Sequence, residues 1–489
     1  FDWMGGGEEK AASTDEKRRL LEDAGRRLLE GAGKATPLSS ARTAASSEGG
    51  LADGDYFAPT GRDDYFGALG LADRLRAHAR DAGFGLTREA LDVHKFVLLL
   101  TVVGIHMVFP YLFYGSHIGL TVLGGLYSCG LPVFVVISGY CSGELNATRA
   151  RRLVETLLGP YIVLNVFYSV WYTLYYCPNG ECTRHFLVGK SEDYSWDLLV
   201  NGWQKDLWNF FTPFFHLWYL ASLIQWRVFQ SSMLVFPARW AIPLAYAVGI
   251  LSGFMDSTDY LSTQRTLCYL PYFVIGLHLN KARLWVPPAR SLWQKLACAL
   301  GLVGLAVGCI KVLTILKVST DAFTFRVDYP MSLALTTMFN ESTSLHTGSL
   351  ALMRIGVYIW EFLASWMLMA LIPRPQDAGV EVAPGQTGPR ERDQSRLSAR
   401  VYLRLAKYGS RSIFPYTLHP ILYILVVQSG WFDIVRNYGD SVGLALHLIA
   451  SLAMVPGIVV LFSMRSPIMT IAEPVLNQAW VARVFGEMK

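Results

Sequence analysis

Charge is what this chain has least of. Of its 489 residues, 43 are basic and 38 acidic, 17% in all, against roughly a quarter in soluble globular proteins. The shortage is uneven: positions 1–90 hold 13 basic and 16 acidic residues, which leaves 30 and 22 for everything after them. With 52% hydrophobic residues and a mean hydropathy of +0.31, the later part cannot cover itself with a charged skin. A single soluble globule, a coiled coil and a disordered chain are excluded. The basic excess is too dispersed for a nucleic-acid footprint.

Cysteine is also scarce. Seven in this length exclude a disulfide scaffold. Cys129, Cys141, Cys268, Cys298 and Cys309 sit in apolar runs and read as packing residues. Cys177 and Cys182 flank Pro-Asn-Gly-Glu and form either an exofacial disulfide or two separate thiols. Several common signatures are missing: no glycine-rich phosphate loop before Lys-Ser/Thr, no HExxH, no paired CxxC and no Gly-x-Ser-x-Gly elbow. Nothing argues for a metal. No basic stretch followed by an apolar run stands near the start, so no secretory leader is expected there.

What the chain does have is apolar length. Ten segments, roughly 96–114, 118–141, 153–176, 214–230, 239–255, 266–280, 296–314, 350–372, 411–428 and 443–464, approach the ~20 residues needed to cross ~30 Å of hydrocarbon. The expectation is an all-α polytopic membrane protein, a bundle of about ten transmembrane helices spanning 91–465. Ahead of it lies a mostly disordered extension, 1–90, with one amphipathic helix at Asp15–Glu30. A tail, 466–489, follows. With both termini cytosolic, the inner loops carry 19 Lys and Arg and the outer loops 7, the asymmetry that cytosolic retention of basic residues requires. On that topology the sequon at Asn146 lies inside and the one at Asn340 outside. The same arrangement suits a plasma or secretory-pathway membrane.

An ionisable group inside hydrocarbon is costly and marks function by default. The first segment reads Asp92-Val-His-Lys95 and runs on to His106. Eleven residues are almost three helical turns, so Lys95 and His106 share a face about 16 Å apart along the axis. A cation at the cytosolic mouth suits the phosphates of an anionic donor. A neutral imidazole deeper in suits removal of a proton from a hydroxyl. A structurally satisfied histidine is the alternative for His106. The second segment ends in Ser138-Gly139-Tyr140, whose small pair permits close backbone approach, and Arg149, Arg151 and Arg152 follow. They are candidate phosphate ligands or basic anchors at the cytosolic boundary. His216-Leu-Trp218 opens the fourth segment as a site element or an interfacial anchor. Arg354 and Glu361 lie two turns apart and read as an intramembrane pair with another helix. Tyr416-Thr-Leu-His419-Pro420 carries a proline that kinks its helix and frees a backbone carbonyl.

In order along the chain, these segments resemble the membrane acyltransferase-3 family, the O-acetylase-like integral membrane acyltransferases that modify sugars. The resemblance covers about residues 88–465. It rests on Asp92-Val-His-Lys95 to His106, Leu131-Pro-Val-Phe-Val-Val-Ile-Ser-Gly-Tyr140, Arg151-Arg152-Leu with Pro160-Tyr161, His216-Leu-Trp-Tyr-Leu220, Leu270-Pro-Tyr-Phe-Val-Ile-Gly276 and Gly409-Ser-Arg-Ser-Ile-Phe-Pro-Tyr416-Thr-Leu-His419-Pro420. It implies transfer of an acyl group, usually acetyl, from cytosolic acyl-CoA to a carbohydrate hydroxyl. Many members carry Arg where this chain has Lys95, which keeps the charge and loses the bidentate fork. The fucose-acetylase-like branch tolerates Lys there. The catalytic set implied is His106 as base, with Tyr140, His216 or Tyr416 donating to the oxyanion, and His419. The acyl-CoA set is Lys95, Ser138, Gly139, Arg149, Arg151 and Arg152. Ser138 has no adjacent base for a covalent route. A proton-coupled transporter, using His106, His216, Arg354, Glu361 and His419 as a relay, is the main rival. An inactive membrane subunit is the other.

Overall fold

The computed structural model describes residues 87–176, 213–316, 347–377, 397–432 and 441–472, a few positions within them excepted, together with 181–182 and 194–195. All belong to the unit Asp63–Lys489. Positions 1–86, including the expected Asp15–Glu30 helix, the Asn340 sequon and Cys177 lie outside the described residues. So does most of the tail.

Ten long helices coincide with the ten apolar segments. They are α1 (Arg88–Val108) and α2 (His117–Tyr140), then, after the short α3 (Ala147–Leu153), α4 (Gly159–Tyr176). α5 (Trp218–Val235), α6 (Ala238–Leu251), α7 (Thr263–Ala282) and α8 (Leu292–Leu316) follow. α9 (Thr347–Leu371), the amphipathic α10 (Leu397–Gly409), α11 (Ile413–Gln428) and α12 (Ser441–Ser463) complete the order. The only β pairing among the described residues is Glu181–Cys182 with Tyr194–Ser195. Helices dominate because hydrocarbon offers the backbone no hydrogen-bond partner, so each apolar segment must satisfy its own.

The described body is therefore an all-α membrane protein. The expected count of ten spans is not reached among the described residues: by length and apolarity, four of the helices are fit to cross a membrane, α1, α2 from Val122, α9 from Leu350 and α12 from Val442. Ala238–Phe254, Leu292–Gly308 and Ile413–Val426 are apolar but shorter. The other three, α4, α5 and α7, are diluted by tyrosines or by buried polar side chains such as Gln230, Gln264 and Thr266. The stretch 373–410, between the eighth and ninth apolar segments, is not loop throughout: its last third is α10.

Two junctions fix the site. Between α3 and α4 the helix passes through a π turn, Val154–Leu158, where the Gly159 N–H donates to the Val154 carbonyl. The side chain of Asn146 caps α3 by accepting from Arg149 N at 2.8 Å, so the Asn146 sequon is used structurally. α2 and α7 meet at glycine: a Cβ on Gly139 would lie 2.2 Å from the Phe273 carbonyl oxygen, and one on Gly276 2.0 Å from that of Val136. Such small residues let helices approach to backbone contact in a membrane.

Candidate functional site

The last turn of α1 and the middle of α11 bring two histidines together. His106 Nδ1 lies 2.8 Å from His419 Nε2, with the rings stacked at 4.7 Å. His419 Nδ1 lies 2.8 Å from the Pro415 carbonyl. A carbonyl only accepts, so Nδ1 of His419 carries the proton and Nε2 accepts from His106 Nδ1–H. The acceptor nitrogen of His106 is therefore Nε2. Pro420 explains part of this. It has no N–H for the Tyr416 carbonyl one turn back, and the His419 ring lies beside that carbonyl as well.

His216 completes a three-histidine cluster. It is buried, its ring 5.4 Å from His419 and 5.6 Å from Tyr416. The Tyr416 hydroxyl donates to the His216 backbone carbonyl. α4 pins the approach to His216. Asn165 accepts from Phe214 N at 2.7 Å, Tyr168 packs edge-on to His216 at 5.1 Å, and the Tyr168 hydroxyl donates to the Thr417 carbonyl. No group of three or more metal-ligating side chains among the described residues has a geometry able to hold a metal ion.

Of the sequence-derived set, His106, His216, Tyr416 and His419 thus share one site. Ser138 lies one residue away from it. Its hydroxyl bonds the Phe134 carbonyl at 2.9 Å and the Tyr219 hydroxyl, and Tyr219 packs on Tyr416 at 5.7 Å. Tyr140 is not in the cluster. It packs on Trp285 at 5.0 Å, and Trp285 on His94 at 5.6 Å, at the Lys95 end of the bundle. The sequence grouped Tyr140 with the other hydroxyl donors by residue type alone.

Lys95 Nζ is 3.0 Å from Asp92 Oδ1. Cys141, at the end of α2, lies within the electrostatic reach of Lys95, Asp92 and Arg227, and Tyr219 within that of Cys141 and Arg227. Side-chain contacts run from Ser138 to Tyr219, Tyr416, His216, His419 and His106. Gly139 makes the α2–α7 contact described above. Arg151 pairs with Glu155 at 2.7 Å on an exposed surface, and Arg152 is exposed beside it. The Arg149 guanidinium packs against Gly143. None of these three is brought to the histidine cluster.

Sequence reasoning missed Tyr219, Arg227, Trp285 and Asn165. Arg227 and Asn165 carried a usable signal, a charge or an amide inside an apolar segment. Trp285 did not.

A second polar cluster stands apart from the first. Arg354 and Glu361 are both buried. Tyr272 donates to Glu361 Oε2 at 2.6 Å, and Arg354 Nη1 lies 3.3 Å from both the Gly249 carbonyl and Cys268 Sγ. No family model, curated protein or solved structure matches the chain.

Proposed function

We propose that this chain is an integral membrane acyltransferase. It moves an acyl group, in the first instance acetyl, from cytosolic acyl-CoA to a hydroxyl of a carbohydrate or glycan. In this reading all ten long helices enter the membrane, both termini are cytosolic, and the Lys95 end of the bundle faces the cytosol. The observation that carries it is the orientation of His106 by His419, on the same helix α1 that bears Lys95.

The chemistry needs a base, an oxyanion partner and a grip on the donor. The ammonium of Lys95 and the guanidinium of Arg227 hold the nucleotide phosphates, and the extended pantetheine arm reaches inward along α1 toward His106. Nε2 of His106 takes the acceptor's hydroxyl proton as that oxygen attacks the thioester carbonyl. The tetrahedral intermediate collapses with loss of the CoA thiolate, which receives the proton back from His106. His419 supports the imidazolium that forms, because its Nε2 already accepts from His106 Nδ1–H. His216, or Tyr416 on release of its hydrogen bond to the His216 carbonyl, donates to the oxyanion.

Purified full-length protein is tested with radiolabelled acetyl-CoA, wild type beside His106→Ala. Saturable binding in both, with turnover in wild type alone, is the expected result. Wild-type turnover in the variant removes the base assignment, and absence of binding in folded protein removes the donor.

A specific observation favours one second reading. The buried Arg354, Glu361 and Tyr272 cluster gives a proton-coupled transporter an intramembrane relay away from the histidines. Solute uptake lost on Glu361→Gln, with no acetyl-CoA binding, is the result that reading requires.

A further inference from the structure

Among the described residues, one side of α10 is packed against the rest of the protein. Ala399, Tyr402 and Ala406 are buried in a small core with Val93 of α1 and Ile372, the residue after α9. Gly409 closes the helix against α1 so tightly that a Cβ there would lie 1.7 Å from the Asp92 carbonyl oxygen. Tyr402 is buried on that side, and desolvation with the nearby Glu89 and Asp377 carboxylates holds its phenol above its ordinary range.

The remaining surface divides in two. At 100° per residue, Leu397 and Val401 fall together on one edge, 72% and 47% exposed, with Leu405 toward the protein beside them. Arg400, Arg404 and Lys407 fall on the other edge and are all exposed. No ion pair among the described residues involves any of these three cations. Thirteen residues make about 20 Å of helix, too short and too charged to span. The helix docks on the second turn of α1 and the end of α9, where the long helices terminate.

A helix docked by one face, with an apolar edge beside a basic edge that no described carboxylate pairs, matches the boundary between acyl chains and anionic headgroups. We infer that α10 is an interfacial helix that binds anionic phospholipid headgroups through Arg400, Arg404 and Lys407, with Leu397 and Val401 set among the acyl chains. This is independent of the acyltransferase reading, since it uses none of the residues assigned to that site.

The test uses the full chain in neutral detergent, titrated with short-chain phosphatidylserine, phosphatidylcholine and inorganic phosphate, with thermal unfolding as the readout. Phosphatidylserine is expected to raise Tm saturably and in a salt-sensitive way, and the other two are not. The variant Arg400→Gln/Arg404→Gln/Lys407→Gln should shift the midpoint at least about tenfold, and Arg151→Gln/Arg152→Gln should leave it in place. Arg404→Gln alone, with a smaller shift, serves if the triple variant does not fold. An equal response to phosphatidylcholine or phosphate, an unchanged midpoint in the α10 variants, or an equal loss in the Arg151/Arg152 variant would each overturn the assignment.

Discussion

His106 Nδ1 donates to His419 Nε2 across 2.8 Å, and His419 Nδ1 donates to the Pro415 carbonyl. Two residues 313 positions apart are thereby fixed in one tautomeric order, in which each ring determines the next. The pair resembles in logic any catalytic base held by a second hydrogen-bonding group. Here the second group is a neutral imidazole in an apolar surrounding, so it costs no buried charge at rest.

On the proposed chemistry, His106→Ala lowers kcat for acyl transfer by about 10²–10⁴ and leaves acyl-CoA binding in place. His419→Ala is expected to lower kcat by about 10²-fold with the acyl-CoA KM little changed, since it disturbs orientation and does not touch the donor. Steady-state kinetics on the two variants separate these effects. A raised KM with normal kcat for His419→Ala would place that residue in donor binding instead.

Lys95→Ala should weaken acyl-CoA binding by about tenfold to a hundredfold, the range of a charge-assisted hydrogen bond. It also strands the Asp92 carboxylate, whose partner lies at 3.0 Å. Lys95→Arg should keep most of the affinity. Equilibrium binding of labelled acetyl-CoA measures both, and a change confined to acceptor affinity would move the donor site elsewhere.

Gly276→Ala places a methyl 2.0 Å from the Val136 carbonyl oxygen and 2.8 Å from Tyr140 N. Backbone on both sides leaves nothing that can yield cheaply, so α2 and α7 must separate. A loss of about 1–3 kcal/mol is expected, seen as a lower unfolding midpoint in detergent. Gly356→Ala has nothing within 4 Å of its new carbon and should be silent in the same assay.

Tyr272→Phe removes the donor to Glu361 Oε2 in a buried setting and should cost about 1–3 kcal/mol. Glu361→Gln still accepts from Tyr272 and carries no charge to desolvate, so it should be better tolerated than Glu361→Leu. Unfolding midpoints of the three variants give the order. Acyl transfer should survive in Glu361→Gln, whereas the transporter reading requires uptake to fail there.

The long helices were legible because hydropathy is a local property. Each apolar segment of the sequence overlaps a helix, with bounds that differ by up to eight residues, as at the start of α1. α10 was not legible in that way. It sits in a segment marked by Pro, Gly, Gln and Arg, and its period-3.6 pattern is carried by alanines and one tyrosine instead of an apolar run.

The site divides along the same line. Lys95 and His106 share a face because they share a helix, so their relation could be counted from sequence. That His106 meets His419 depends on how α1 and α11 are rotated toward one another, which no spacing encodes. In the sequence Gly139 stands beside Ser138 as a small pair grouped together for acyl-CoA binding. In the fold the two point to different neighbours, one to α7 and one to Tyr219.

The π turn at Val154–Leu158 has an effect out of proportion to its five residues. An i→i+5 turn accommodates one residue beyond the α-helical count, and one residue is about 100° of azimuth. Everything after it in α4 is set in phase by that extra residue, including Asn165 and Tyr168, which hold the backbone around His216. Deleting a single residue there would leave the composition and the apolar length of α4 almost untouched. It would turn its two anchoring side chains away from the histidine cluster, so the spare residue acts as a rotary index for the whole site.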